Sequence, residues 1–480
     1  MSDLNLQLAE PLAGDDHMQV AFDRLHDAAE RQPYPSLDWR CTRLRALQQV
    51  LVAYRERLAD AVAADYGSRS RDETYIADIL PVVNAIKDTV KHLPRWVKPS
   101  RRPVQRMFRP AAAKVVYQPL GVVGIIVPWN YPIQLALSPL VGALAAGNRA
   151  LLKLSEHTPR TNGVLEQLLR EVFSDDEVAV IHGGVPVAEA FTRLPFDHLV
   201  FTGSTSVGRK VMAAAAENLT PVTLELGGKS PAIVDHDAPM GSTAEHIIFG
   251  KTLNAGQTCI APDYVLCREE RVDELLAAMR KAAKRMYRRI DKNPDYTAII
   301  NDRHYRRLRS MLDEARERGA ELIALHPDEE GLVPQRKLPL HLVLDSPNDT
   351  RVMQEEIFGP ILPIVPVSDL DAALREVRKR PRPLALYYFG LDNQVQERVL
   401  QESHAGGVCI NNTLFHIAQD SLPFGGIGDS GMGHYHGREG FMSLSKQKGV
   451  YIQRRPNPSR LVYPPYGRLI HKLLYRFFLR

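Results

Sequence analysis

Gly121-Val122-Val123-Gly124-Ile125-Ile126-Val127-Pro128-Trp129-Asn130-Tyr131-Pro132 is the stretch on which the fold turns. Val122 to Val127 is a β-branched apolar run ended by a proline, which reads as a strand closed by a turn. Ile133 to Ala146 follows as an Ala/Leu-rich helix and Ala150 to Leu154 as a short strand. The alternation continues with a helix over Thr158 to Phe173, a strand over Val178 to His182, a helix over Val187 to Leu194 and a strand over His198 to Thr202. A helix over Ser206 to Leu219 closes the series. Strands alternating with helices predict a parallel sheet with crossover helices on its faces. Ligands in such sheets sit at the carboxyl ends of the strands. Small and polar residues collect there: Pro128-Trp129-Asn130, Lys153 to Glu156, Gly183-Gly184 and Gly203-Ser204. There is no GxGxxG fingerprint. Gly203-Ser204-Thr205-Ser206-Val207-Gly208 nevertheless runs from a strand into a helix N-terminus, where free amides and the helix dipole can meet a pyrophosphate. The same residues also suit an ordinary turn and cap.

Beyond Leu224-Glu225-Leu226-Gly227-Gly228 a second α/β unit runs to about residue 418, with helices near 270–288, 303–318 and 369–379. Within it lies Asn254-Ala255-Gly256-Gln257-Thr258-Cys259-Ile260-Ala261-Pro262. Small and polar neighbours, a glycine that permits a sharp turn and a proline that stops any regular element put Cys259 on a constrained bend, with its sulfur accessible. Free cysteines are more often small buried hydrophobes. Cys41 opens a helical pattern, and Cys267 and Cys409 lie in apolar runs, so burial is expected for those three. A cysteine nucleophile needs donors for an oxyanion and a base to activate water. Asn130, Glu225 and Glu356 are candidates.

At these residues a resemblance appears. The segments Pro128-Trp129-Asn130-Tyr131-Pro132, Phe201-Thr202-Gly203-Ser204-Thr205, Leu224-Glu225-Leu226-Gly227-Gly228-Lys229, Gly256-Gln257-Thr258-Cys259, Glu355-Glu356-Ile357-Phe358-Gly359-Pro360 and Pro423-Phe424-Gly425-Gly426, in this order, resemble the NAD(P)-dependent aldehyde dehydrogenase superfamily. The runs Thr220 to Pro231 and Cys259 to Tyr264 resemble its class 3 group, which includes fatty and aromatic aldehyde dehydrogenases and bacterial coniferyl aldehyde dehydrogenases. The resemblance implies Cys259 as nucleophile, Asn130 with the Cys259 amide as oxyanion donors and Glu225 as general base. It also implies NAD or NADP contacts at Val127, Trp129, Lys153, Glu156, Gly183, Gly203, Ser204, Val207, Glu356 and Phe358. Lys153-Leu154-Ser155-Glu156 departs from the usual Lys-Pro-Ser-Glu but keeps its lysine and glutamate. Glu156 would repel a 2′-phosphate, although class 3 relatives with this glutamate use both cofactors, so the choice stays open. The substrate expected from the group is coniferyl aldehyde or a related aromatic aldehyde. A fatty aldehyde, a CoA-acylating variant and a non-catalytic binding protein of the same fold are the alternatives.

The expected architecture is α/β: two parallel-sheet domains plus a small oligomerisation arm. Residues 1–98 and 118–224 would form the cofactor domain and 225–418 the catalytic domain. Residues 99–117 and 419–455 would form the arm and bridging segments, with 456–480 as an amphipathic tail. The 480 residues suit two or three cores rather than one. Residues 38–65 and 73–96 carry apolar positions at helical spacing. The basic, proline-rich run from Pro99 to Pro110 reads as a solvated loop, and the resemblance makes it part of the arm that joins subunits, with a homodimer expected.

The 61 Lys and Arg against 56 Asp and Glu leave a net charge of +5, too slight to imply nucleic acid. No zinc-type cysteine spacing occurs, and four scattered cysteines suit a reducing compartment. Met1 to Gly14 has no basic stretch followed by an apolar one, so a cytoplasmic location is expected. In the tail, Leu469, Ile470, Leu473, Leu474, Phe477 and Phe478 alternate with Arg468, His471, Lys472 and Arg476. That spacing makes one apolar and one basic helical face. The helix can dock on the protein or its partner subunit, cover the substrate mouth, or touch an anionic membrane surface.

Overall fold

The computed structural model describes residues 14–326 and 333–479. The polar stretch from residue 1 to 13 lies outside them, as does Arg480. Val122–Ile126 is a strand with all five residues buried. It pairs in parallel with Arg149–Lys153 on one side and His198–Thr202 on the other. A strand enclosed on both faces must be apolar throughout, which is why this segment does not alternate. The six-stranded sheet runs in the order Val178–Ile181, Arg149–Lys153, Val122–Ile126, His198–Thr202, Val222–Glu225, Gly431–Met432. Only the short last strand is antiparallel, with Gly431 opposite Glu225.

The chain builds outward from Val122–Ile126 and then returns to its other flank at His198–Thr202. This reversal opens a crevice at the strand ends. Pro128-Trp129-Asn130 and Gly203-Ser204 leave the sheet on either side of it. The intervening helix Gln134–Ala146 is buried at every residue, so it is apolar all round rather than amphipathic.

The second, seven-stranded sheet has the order Glu321–Ala324, His341–Leu344, Ile361–Val367, Tyr264–Arg268, Pro231–Val234, Ala385–Phe389, Gly407–Ile410. Its strands are parallel except Glu321–Ala324 at the edge. Helices Val272–Met286, Asp302–Glu317 and Leu370–Arg378 match the spans expected from periodicity, while Met240–Thr252 and Asn393–Glu402 add two more.

Two expectations need correction. The basic run after residue 99 is not simply loop. Ser100–Arg102 and Ala112–Pro119 are strands of a three-stranded antiparallel arm completed by Ser445–Ile452, whose register runs from Ser445 opposite Pro119 to Ile452 opposite Ala112. The helix expected over 73–96 is three pieces: Arg71–Thr74, a wider π turn over Tyr75–Ile79, and Leu80–Trp96. The π turn brings Asp78 into the interior, where it is wholly buried.

At the other end, helix Leu469–Phe478 leaves Leu469, Phe477 and Phe478 at 74%, 77% and 63% exposure, and only His471 in it is buried. Among the described residues no helix is long and apolar enough to cross a membrane.

Candidate active site

Three successive left-handed residues lead into the cysteine: Asn254 (φ 52°), Ala255 (φ 51°) and Gly256 (φ 72°). Non-glycine residues pay for that geometry and hold it only where the surroundings over-determine it. Here they do. The Asn254 amide donates to Glu73 Oε1 at 3.0 Å, and its side-chain Nδ2 donates to the Asn130 carbonyl at 3.0 Å and the Gln257 carbonyl at 3.1 Å. Gln257 Nε2 donates to Asn254 O at 2.9 Å and Ala298 O at 3.1 Å, and its Oε1 accepts from Ile300 N at 3.0 Å. A Cβ on Gly256 would meet the Gly359 carbonyl at 2.5 Å, so the cysteine loop and the Glu356–Phe358 loop touch where only glycine fits. Cys259 then sits in a turn closed by Ala261 N to Thr258 O at 3.0 Å. The bend is as expected, but the freely accessible sulfur is not: the residue is only partly exposed, in the wall of a cleft.

Asn130 is fixed from below. Its carbonyl accepts from Tyr66 Oη at 3.0 Å and from Arg69 at 2.9 Å, and its Nδ2 donates to Gln257 O at 3.3 Å. The Arg69 side chain is wholly buried, 3.4 Å from Glu73 and 3.3 Å from Asp78, and lies over the Tyr66 and Tyr131 rings. Asp78 in turn accepts from Gln134 N at 2.8 Å. One cation thus ties the cysteine loop, the Asn130 loop and the π turn into a single buried network.

Glu225 ends strand Val222–Glu225, is 3% exposed, and neither carboxylate oxygen has a hydrogen-bond partner. Burial alone raises its pKa well above the ordinary carboxyl range. Burial likewise pushes the Cys259 thiol up to about 12, reinforced by the Glu356 and Glu225 charges and opposed by the Cys259 and Ile260 amides. Glu356 rises to about 8, through burial and the Asp263 charge, against the Gly228 amide, Arg307 and Lys229. A thiol and two carboxyls share one buried space, and each is shifted toward its neutral form, which lessens their mutual repulsion.

Lys229 forms an ion pair with Asp263 and donates to Val352 O at 2.8 Å and Glu355 O at 2.9 Å, while Ile357 N donates to Asp263 Oδ1 at 3.0 Å. These two motif residues clamp the Glu356 loop onto the cysteine loop. Phe358, at φ 50°, meets the Trp129 ring edge-on with centroids 5.4 Å apart.

A cleft of ≈ 550 Å³ gathers Trp129, Asn130, Gly203, Ser204, Glu225, Cys259, Glu356 and Phe358 on its wall. Val127, Lys153, Glu156, Gly183 and Val207 are not part of that wall; they lie along the strand ends and the helix start beside it. Lys153 Nζ is 3.2 Å from Glu156, and Val127 N donates to Lys153 O at 3.0 Å. Ser204 caps helix Thr205–Ala216, accepting from Val207 N at 3.4 Å.

Sequence reasoning missed His304 and Arg307. Both come from helix Asp302–Glu317 and line the cleft, with the His304 ring 5.1 Å from Trp129 and Arg307 donating to Ile357 O. Burial, with Arg307 and Arg303 nearby, lowers the His304 pKa to about 4, so it presents a neutral imidazole. An ordinary amphipathic helix carries no signal for either residue.

A thiol lining a cleft with an amide side chain and a buried carboxyl, beside a helix N-terminus at a sheet's switch point, is an arrangement typical of an enzyme active site. Residues 10–450 match the model of the aldehyde dehydrogenase family, and the chain belongs to that family. It is 54% identical over 463 residues to a probable coniferyl aldehyde dehydrogenase of Pseudomonas aeruginosa, covering 96% of each chain. Among solved structures it resembles a substrate-bound state of Staphylococcus aureus AldH, with TM-score 0.90 and 38% identity over 96% of this chain and 99% of that one. It also resembles a Mycobacterium tuberculosis aldehyde dehydrogenase complexed with NAD+, with TM-score 0.82 and 28% identity over 92% and 91% of the chains.

Proposed function

We propose that this chain oxidises aromatic aldehydes of the coniferyl type to carboxylic acids with NAD(P)+, using Cys259 as nucleophile. The observation that carries this is the convergence of Cys259, Asn130 and Glu225 in one cleft. Cys259, once deprotonated, adds to the aldehyde carbon, and the resulting oxyanion is held by the Asn130 side-chain amide and the Cys259 N–H. Held in the cleft, a nicotinamide would supply the hydride acceptor, and loss of hydride from the adduct's carbon leaves a thioester on Cys259. Glu225 takes a proton from water as that water adds to the thioester, and the C–S bond breaks to release the acid.

The chain's residues fit such a cofactor. A Cβ on Gly227 would lie 2.1 Å from the Glu356 carboxylate, so the backbone there must stay bare, and Glu356 Oε1 is buried without a partner, ready for a ribose hydroxyl. The Ser204-capped helix start suits the pyrophosphate. Lys153 and Glu156 suit the adenosine ribose, with Val127, Trp129, Gly183, Gly203, Val207 and Phe358 around the remainder. Glu156 disfavours a 2′-phosphate, so NAD is preferred over NADP.

An aromatic substrate is supported by a buried run of rings that starts at Tyr387, whose hydroxyl donates to the Ile260 carbonyl next to Cys259. Tyr387, His416, Phe424 and Tyr435 follow one another with centroids 6.1, 5.9 and 6.2 Å apart. The test is reduction of NAD and of NADP with coniferyl aldehyde, benzaldehyde, octanal and acetaldehyde. We expect kcat/KM highest for coniferyl aldehyde with NAD; acetaldehyde ranking first would sink the substrate assignment, and octanal ranking first would favour a fatty aldehyde.

The arm strands of residues 99–117, with the bridging residues 419–455, are proposed to join two subunits around the domains 1–98 with 118–224 and 225–418. The exposed apolar side of helix Leu469–Phe478, rimmed by Arg468, Lys472 and Arg476, is proposed to touch an anionic membrane surface from the cytoplasm. A chain lacking residues 466–480 should keep its dimeric elution volume and pellet less with phosphatidylserine vesicles than the full chain. Equal pelleting removes the membrane contact, and a full-length chain that elutes as a monomer removes the dimer.

A further inference from the structure

Tyr435 is a buried residue, 1% exposed, whose hydroxyl has no hydrogen-bond partner. Its position follows from the short antiparallel strand Gly431–Met432. Gly431 pairs with Glu225, Leu226 N donates to Ser430 O at 3.1 Å, and the chain then turns at Gly433 (φ 81°) into His434 and Tyr435. Phe424-Gly425 closes the other side. The Phe424 ring meets the Tyr435 ring edge-on at 6.2 Å, and a Cβ on Gly425 would touch Glu225 Oε1 at 3.2 Å and the His434 ring at 3.1 Å. Gly440 packs directly on this backbone, since a Cβ there would lie 2.2 Å from the Tyr435 carbonyl. Phe424-Gly425 thus touches both the Tyr435 ring and the Glu225 carboxylate, which puts the phenol in the same buried region as that carboxylate.

Three buried polar atoms without partners therefore lie around Phe424-Gly425: both oxygens of Glu225 and the hydroxyl of Tyr435. Buried polar atoms in folded proteins are almost always satisfied, and a water with two to four polar partners is the usual means. We propose that Tyr435 positions the water that hydrolyses the acyl-enzyme, which rests on the reading of Glu225 as its base. The water donates one hydrogen to the Glu225 carboxylate and the other to the Tyr435 hydroxyl oxygen. One of its two lone pairs then points at the thioester carbon. As the C–O bond forms, the first proton passes to Glu225 and the C–S bond breaks, returning Cys259 as thiolate and the acyl group as carboxylic acid. Glutamate alone would leave the water free to rotate about a single hydrogen bond.

Tyr435→Phe removes one oxygen and keeps the ring packed on Phe424. Acylation should survive, giving a rapid burst of one NADH per Cys259, while the steady rate after the burst falls about 10-fold, the loss of one hydrogen bond. Hydroxylamine, which attacks a thioester without being held by Glu225, should restore the steady rate of the variant more than that of the wild type. Tyr435→His keeps an acceptor in a similar volume and should lie between the two, and it serves if the phenylalanine variant does not fold. An unchanged steady rate in Tyr435→Phe, or loss of burst and steady rate together, overturns the proposal. A wild type that forms no NADH with any aldehyde fails at the underlying function instead.

Discussion

Cys259→Ala is expected to lower aldehyde oxidation by at least about 10,000-fold, because losing a covalent nucleophile removes the whole two-step route. The cleft remains otherwise built. Asn254, Gln257, Lys229 and Asp263 hold the loop through their own side chains, none of which bonds to the sulfur. The alanine variant should therefore fold with an unchanged melting temperature and still bind NAD+, read by isothermal titration. Turnover that survives in Cys259→Ala would falsify the nucleophile assignment. Loss of turnover accompanied by loss of NAD+ binding would mean instead that the cleft had collapsed.

Arg69→Met should cost about 3–5 kcal/mol of stability, the range for removing one partner from a buried ion pair. Methionine fills much of the volume between the Tyr66 and Tyr131 rings but leaves Glu73 and Asp78 facing each other without a cation. Activity should fall too, because the Asn130 carbonyl loses its 2.9 Å donor. The deficit has a pH signature. Burial, partly offset by Arg69, already raises Asp78 to about 6 and raises Glu73 as well, and removing the cation raises both further. An acid whose pKa is higher folded than unfolded binds more protons in the native state, so stability falls as pH climbs through that interval. The variant should lie closer to wild type at pH 5 than at pH 8 in thermal melts; a deficit independent of pH would show that the two carboxyls are not the cause.

Arg69 also marks where reading the sequence stops. The strands and helices from Gly121 to Leu219 are legible because a parallel sheet imposes apolar runs and crossover helices on contiguous sequence. Motif residues such as Cys259 and Glu225 are legible because small and glycine-rich neighbours betray a constrained backbone. Glu73 lies four residues on from Arg69, but no local pattern joins Asp78 and Asn130 to them. The π turn over Tyr75–Ile79 widens the helix by one residue without disturbing its apolar spacing enough to be seen. Asn254 and Gln257 were in view, yet one sequence cannot reveal that their amides brace three left-handed residues. His304 reaches the cleft from a helix whose local composition is ordinary.

The arm has a consequence for how the molecule is made. Ala112–Pro119 finds its long partner only in Ser445–Ile452, near the end of the chain. A ribosome delivers the first strand long before the second, so most of the protein is synthesised while a run containing Val115, Val116 and Tyr117 shows an open hydrogen-bonding edge. Chains that terminate early carry that edge permanently and are drawn to one another. The alternating lysine and glutamine of Lys446, Gln447 and Lys448 on the late strand guard only the finished arm, and the nascent one is left to chaperones.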